Sequence, residues 1–228
     1  MIFELLYSDP DIAVIKKPAG ILSEGQINDE KSAPGLISTA LCEQGRKVSE
    51  IFTVHRLDRE TRGLMVYALT QSAAAKLSGD IAAHRLKKIY TATVHGRPEQ
   101  EQGELRDLLF FDRKRGKSFA VERERKGVKE AILNYSLLSF DEKTNTSKIE
   151  IELKTGRTHQ IRVQFASRKM PLFGDRKYGA PKDDGNALAL ASVYLAFSHP
   201  KTKEQITIPA AKYPAFSASK SLKESVNK

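Results

Sequence analysis

From Glu104 to Phe140 the chain reads as one extended segment after another, LRDLLFF, SFAVE and AILNYSLLSF, and SKIEIEL at 147–153 adds a fourth. SKIEIEL alternates cleanly, as a strand does when each of its faces meets a different environment. The breaks between the first three segments, DRKRGK (112–117) and RERKGVK (123–129), are short and strongly basic and read as hairpin tips. Short turns join antiparallel neighbours, because a parallel return needs a crossover of a dozen residues or more. This block sets the class. The chain is expected to be α+β, with a mixed, mostly antiparallel central sheet and flanking helices.

The remaining elements fit around that sheet. DIAVIK (11–16) reads as a strand and KKPAG as a turn, with Pro18 fixing one backbone angle and Gly20 free to take a positive one. Residues 34–44 carry a proline suited to a first helical turn and apolar residues at helical spacing. Residues 51–54 and 64–69 read as strands. Thr70 is a plausible N-cap for a helix over 71–86, with Ala74, Leu77, Ile81 and Ala82 on one face. KKIYTATVHG (87–96) is a strand, and Thr158 is the expected N-cap of a helix bearing Ile161 and Phe165 on one face. ALALASVYLAFS (187–198) and QITIP follow as strands. The expected division is one domain over 1–216 and a polar tail over 217–228.

Charge narrows the partners. Of the 228 residues, 38 are Lys or Arg and 28 are Asp or Glu, a net charge of +10. An excess of that size favours a polyanion, and with no long basic amphipathic helix visible the better match is nucleic acid. The basic hairpin tips are either solvated loops that protect edge strands or fingers for a phosphate backbone, and the sequence leaves both open. No apolar run approaches the length of a membrane helix, and the acidic start MIFELLYSDPD is unlike a signal peptide. A single cysteine, Cys42, excludes an internal disulfide and fits a reducing cytosol, so a cytoplasmic protein is expected. With five scattered histidines and no CxxC pair, no metal site is expected.

Several reaction classes lack their signatures. The chain has no GxSxG elbow, no GxxxxGK[ST] phosphate loop, no GxGxxG and no HxE with PCxxC. No second acid matches Asp58 in setting, as a glycosidase pair would require. What remains is HRLDRETRGLMVYALT, 55–70, where one aspartate sits among arginines at the mouth of an apolar strand. Taken alone, a surface ion pair of Asp58 with Arg56, Arg59 or Arg62 is the commoner reading. Two other segments could complete a pocket: KKIYTA with Tyr90, and GRTHQIRV with Arg157, His159 and Arg162. Arginine suits a carboxylate because its fork bonds both oxygens, and an aromatic can stack on an unpaired base.

DIAVIKKPAGILS, HRLDRETRGLMVYAL, KKIYTATVHG, LKTGRTHQIRVQFASRKMPLFGDRKYG and LALASVYLAFSHP occur in this order from about residue 5 to residue 210. In that combination the chain resembles the RluA-type pseudouridine synthases. The resemblance implies the pseudouridine synthase fold with a catalytic cleft, and conversion of uridine to pseudouridine in tRNA or rRNA without cofactor, metal or energy source. It implies Asp58 as nucleophile and Tyr90 as the aromatic that stacks on uracil and helps remove the C5 proton. Arg162 matches the basic partner of the aspartate, Leu190 a pocket-lining leucine, and Arg56 an arginine that enters the RNA stack. His55, Arg157 and His159 belong to the same motifs and are expected to contact substrate.

Three positions depart from the family pattern. Arg62 stands where a serine is usual, LAS (190–192) where LHA is common, and Gln164 where GRTHQIRVH has histidine. The chain also has no room for an N-terminal S4-type RNA-binding domain, so target choice is expected to rest on the catalytic domain and its basic hairpins. Nothing in the sequence asks for more than a monomer. The rival readings are a catalytically silent RNA-binding or ribosome-assembly factor using the same cleft and, more distantly, a DNA-binding protein, for which no groove-reading motif is visible.

Overall fold

The computed structural model describes residues 3–185 and 187–209, without the side chain of residue 183. The chain forms two compact units, one of Met1–Lys88 with Ser192–Lys228 and the other of Ile89–Ala191. The architecture is α+β, as expected. The polar tail lies outside the described residues.

In the first unit β1 (Glu4–Ser8) pairs antiparallel with β2 (Ile12–Lys17), which pairs antiparallel with β4 (Arg62–Ala68). The two-residue β3 (Phe52–Thr53) adds to β4. Ser192–Ser198 of β10 (Leu190–Ser198) lies beside β4 and pairs with β11 (Gln205–Pro209). Two helices complete the unit. In α1 (Ala33–Glu43) the Ser32 hydroxyl accepts from the Gly35 amide and Pro34 occupies the first turn, where its missing N–H costs nothing. In α2 (Gln71–Ala82) the Thr70 hydroxyl accepts from the Ala73 amide. Ala73 and Leu77 pack with Val14, Leu64, Val66, Leu195 and Phe197 in one core.

The second unit is an antiparallel sheet of β5 (Lys87–His95), β9 (Thr146–Leu153), β8 (Val128–Asp141), β6 (Gln102–Asp112) and β7 (Lys117–Val121), in spatial order. Its helix α3 (Gln160–Ala166) is short, with six of its seven residues buried. Val163 packs with Leu109, Ala131 and Tyr178.

Five expectations change. Residues 112–117 are a hairpin tip, but 123–129 are not, because β8 returns to the far side of β6 and pairs there and not with β7. The strand β1 was not foreseen. The helix expected over 71–86 stops at Ala82, because His84 turns left-handed at φ 56° and leaves Leu86 to pack into the core. Its buried face is Ala73, Leu77 and Asp80, while Ala82 is exposed. Asp80 can be buried because Lys76 and Arg85 both donate to its carboxylate. The N-cap of α3 is His159, left-handed at φ 54° with no capping side chain, and not Thr158. The strand expected over 187–198 begins at Leu190.

Candidate active site

Asp58 sits in a loop whose backbone is fastened on both sides. The Ser23 hydroxyl donates to the Leu57 carbonyl at 2.7 Å and accepts from the Leu57 amide at 3.0 Å. The Gly20 amide donates to the Arg59 carbonyl, and Arg59 Nε returns a bond to the Gly20 carbonyl. The Thr61 amide closes a turn onto the Asp58 carbonyl at 3.0 Å. Beneath the loop, the fully buried Lys17 donates to the carbonyls of Pro18, Ile21 and Arg59 at 3.0, 2.7 and 3.1 Å. Burial pulls its pKa down to about 8, and the negative charges of Glu60 and Asp58 oppose that shift. The ammonium therefore remains charged at neutral pH and ties the KKPAG turn to the loop.

His55 holds the loop from the other end. Its Nε2 accepts from the Val66 amide at 3.1 Å, and burial, with Lys88 second, drives its pKa down to about 3. The ring is neutral across the physiological range, and its acceptor nitrogen is committed to β4 rather than to a substrate. Arg56 is solvent-exposed and lies 3.7 Å from Glu24.

The other candidates lie in the second unit. Tyr90 and Leu190 are both buried. Tyr90 stands opposite Ile151 in the β5–β9 pair, and Leu190 opens β10. Arg162 is buried in α3 and donates from Nε and Nη2 to the two carboxylate oxygens of Asp175, at 2.7 and 2.8 Å. Its guanidinium carbon stands 5.2 Å from the centroid of Tyr178. The Tyr178 hydroxyl in turn accepts from the Ser118 amide at 2.8 Å and lies 2.9 Å from His159 Nδ1. Arg157 Nε donates to the Glu130 carbonyl, so its fork is partly occupied by the neighbouring strand.

Three residues do work that the sequence reading did not assign: Lys17, Asp175 and Tyr178. All lie inside the motif stretches, in KKPAG and GDRKYG. An acid and an aromatic closely spaced downstream of a buried arginine are the signal that points to the latter two. The departures also find places. Arg62 is exposed at the start of β4. Gln164 is fully buried, and its Nε2 donates to Asp107 Oδ2 at 2.8 Å and lies within bonding distance of the Leu105 and Ala131 carbonyls. Ser192 is buried, and its backbone lies so close to Gly63 that any β-carbon there would strike it. Gly63 also sits at φ 123°, which other residues rarely adopt.

Asp9, Asp11 and His199 bring three potential ligand atoms within 4.8 Å. Their capacity is largely taken up internally. Asp9 accepts from the Tyr7 hydroxyl and from the amides of Asp11 and Ile12 and lies 2.8 Å from His199 Nε2, while His199 Nδ1 accepts from the amides of Lys201 and Thr202. The arrangement fastens β1 to the turn before β11.

Comparison with known proteins decides the family. The family model for RNA pseudouridylate synthase matches residues 11–167. The chain belongs to the RNA pseudouridine synthases. Membership makes it an isomerase by family. It is 31% identical to an uncharacterized RNA pseudouridine synthase of Bacillus subtilis (strain 168), over 93% of this chain and 69% of the relative. It is 31% identical to the dual-specificity RNA pseudouridine synthase RluA of Pasteurella multocida, over 93% of this chain and 94% of the relative. It is likewise 31% identical to tRNA pseudouridine synthase C of Vibrio parahaemolyticus, over 91% and 89%. Of several other relatives the chain spans about two thirds of the length. Human RNA pseudouridylate synthase domain containing 4 shares the fold at a TM-score of 0.72 and 21% identity, covering 98% of this chain and 91% of that one. A second model, bacterial DNA-binding protein, matches only residues 196–227, most of them outside the described residues. Among the described residues no helix is long and apolar enough to cross a membrane.

Proposed function

We propose that the protein converts uridine to pseudouridine in tRNA or rRNA, with Asp58 as the nucleophile. The glycosidic bond to N1 breaks, the uracil turns while held, and C5 joins the ribose as the C5 proton leaves. Tyr90 stacks on the base and assists that proton transfer, Leu190 lines the pocket, and Arg162 pairs with the Asp58 carboxylate. Arg56, exposed beside the loop, fills the RNA stack where the base has left it. His55 and His159 hold their loops, through the Val66 amide and the Tyr178 hydroxyl.

The observation that carries this reading is the family match over residues 11–167, a span that contains Asp58, Tyr90 and Arg162. The backbone bonds around the loop support it, since they limit the freedom of the Asp58 main chain, and a nucleophile gains rate from being prepositioned. The names of the relatives support RNA as substrate, because they include a tRNA enzyme and a ribosomal large subunit enzyme.

The test is release of tritium from RNA labelled at C5 of uridine, using tRNA and rRNA that lack the modification. Wild type should release label, and Asp58→Asn should release it at least about a thousandfold more slowly while remaining folded. Absence of release by wild type from both RNAs overturns the enzyme reading and leaves a silent RNA-binding factor. Release by Asp58→Asn at the wild-type rate overturns the assignment of Asp58.

A further inference from the structure

The β6–β7 hairpin and the loop into β8 carry more charge than their fold needs. Residues 111–129 hold eight Lys and Arg against three Asp and Glu, half of the chain's net charge of +10. Arg113, Lys114, Arg115, Arg123, Arg125, Lys126 and Lys129 are exposed. The turn that bears the first three ends on Gly116 at φ 56°, and the second turn on Gly127 at φ 88°, so both tips are tight. Aromatic rings are interleaved with these cations. The Arg125 guanidinium lies 4.7 Å from the Phe110 centroid, and Lys117 Nζ lies 5.8 Å from Phe119 and 4.8 Å from Tyr178. Phe111, on the opposite face of the hairpin from Phe110, is 37% exposed and meets His159 edge-on. Among the described residues it is the one aromatic among the exposed large apolar side chains.

Solvation alone accounts for the cations but not for an open aromatic among them. Cations grip a phosphate backbone irrespective of sequence, while an open ring offers a stacking surface only to a base not already stacked in a duplex. We infer that residues 110–129 form a docking surface for unpaired RNA, in which Arg113, Lys114 and Arg115 hold phosphates and Phe111 stacks one base. The inference rests on the reading that the protein acts on RNA, and it adds that the recognised element is a loop or single strand.

The test is fluorescence anisotropy with the full chain, an unstructured RNA strand of about 12 nucleotides and a duplex of the same length. Wild type should bind the strand about tenfold more tightly than the duplex. Phe111→Ala should remove about that tenfold from the strand and leave the duplex unchanged, and Phe111→Tyr should restore it. The combined Arg113→Ala, Lys114→Ala, Arg115→Ala variant should weaken both RNAs and lower the salt slope on the strand by about 2. The inference is overturned if that triple variant keeps the wild-type slope, if Phe111→Ala binds the strand as wild type does, or if it loses strand and duplex equally. The two readings separate in the same preparations. Strand binding that depends on Phe111 without tritium release removes the enzyme reading only, whereas tritium release with hairpin variants that bind normally removes this surface only.

Discussion

The loop around Asp58 and the tips of the basic hairpin are both short, charged connections, but they are built in opposite ways. In the first, the backbone is bonded to Ser23, Gly20 and Lys17, and a buried cation lies beneath. In the second, most charged side chains stand in water and the stiffness comes from two tight glycine turns. A site that must present one carboxylate in one place needs every neighbour fixed. A surface that must hold a flexible polyanion tolerates loss of any single contact, because the charge adds up over many weak ones. Buried charge is therefore individually expensive to disturb in this protein and exposed charge is individually cheap.

That contrast can be broken by mutation, starting where the effect is largest. Asp175→Ala removes the two bonds that the buried Arg162 guanidinium makes to that carboxylate, and should cost about 3 kcal/mol in urea unfolding, against much less when Arg162 is also replaced by methionine. A double variant as unstable as the single one would show that the cost does not arise from the Arg162–Asp175 pair. Gly63→Ala should lose about 3 kcal/mol, since its side chain strikes the Ser192 backbone and the residue sits at a positive φ. An effect of similar size that depends on pH is expected from Lys17. Its folded pKa of about 8 lies below the ordinary 10.5, so between those values the unfolded chain binds more protons and stability from this group rises with pH. Wild type should gain of order 3 kcal/mol relative to Lys17→Met from pH 8 to 10.5, and a flat difference would remove the buried ammonium from the account. At the far end, Arg113→Ala should leave the urea midpoint unchanged, marking the hairpin tips as surface that the fold does not use.

Much of this was legible beforehand. The alternation in SKIEIEL and the basic turn at 112–117 pointed to antiparallel strands, because period-two patterning and short connections are local properties, whereas the return of β8 beside β6 and not β7 is a choice of partner that no local pattern shows. Ser32, Pro34 and Thr70 announced two helix starts for the same reason. The end of α2 and the cap of α3 were less legible. His84 and His159 adopt left-handed backbones that their own side chains do not favour, and the surroundings impose them.

For the candidate site, the motif order is what proposes its members, Asp58, Tyr90, Arg162, Leu190 and Arg56. The sequence also determined the family, and its net charge of +10 is what favours a polyanion. It did not determine who holds each charge in place. That Arg162 rests on Asp175 and Tyr178, that Lys17 lies wholly buried among three carbonyls, and that Gly63 must clear the Ser192 backbone were decided by tertiary packing. A buried charge has to be matched by whatever donors and acceptors the fold brings within about 3 Å. Those neighbours are distant or unremarkable along the chain, so only the folded arrangement names them.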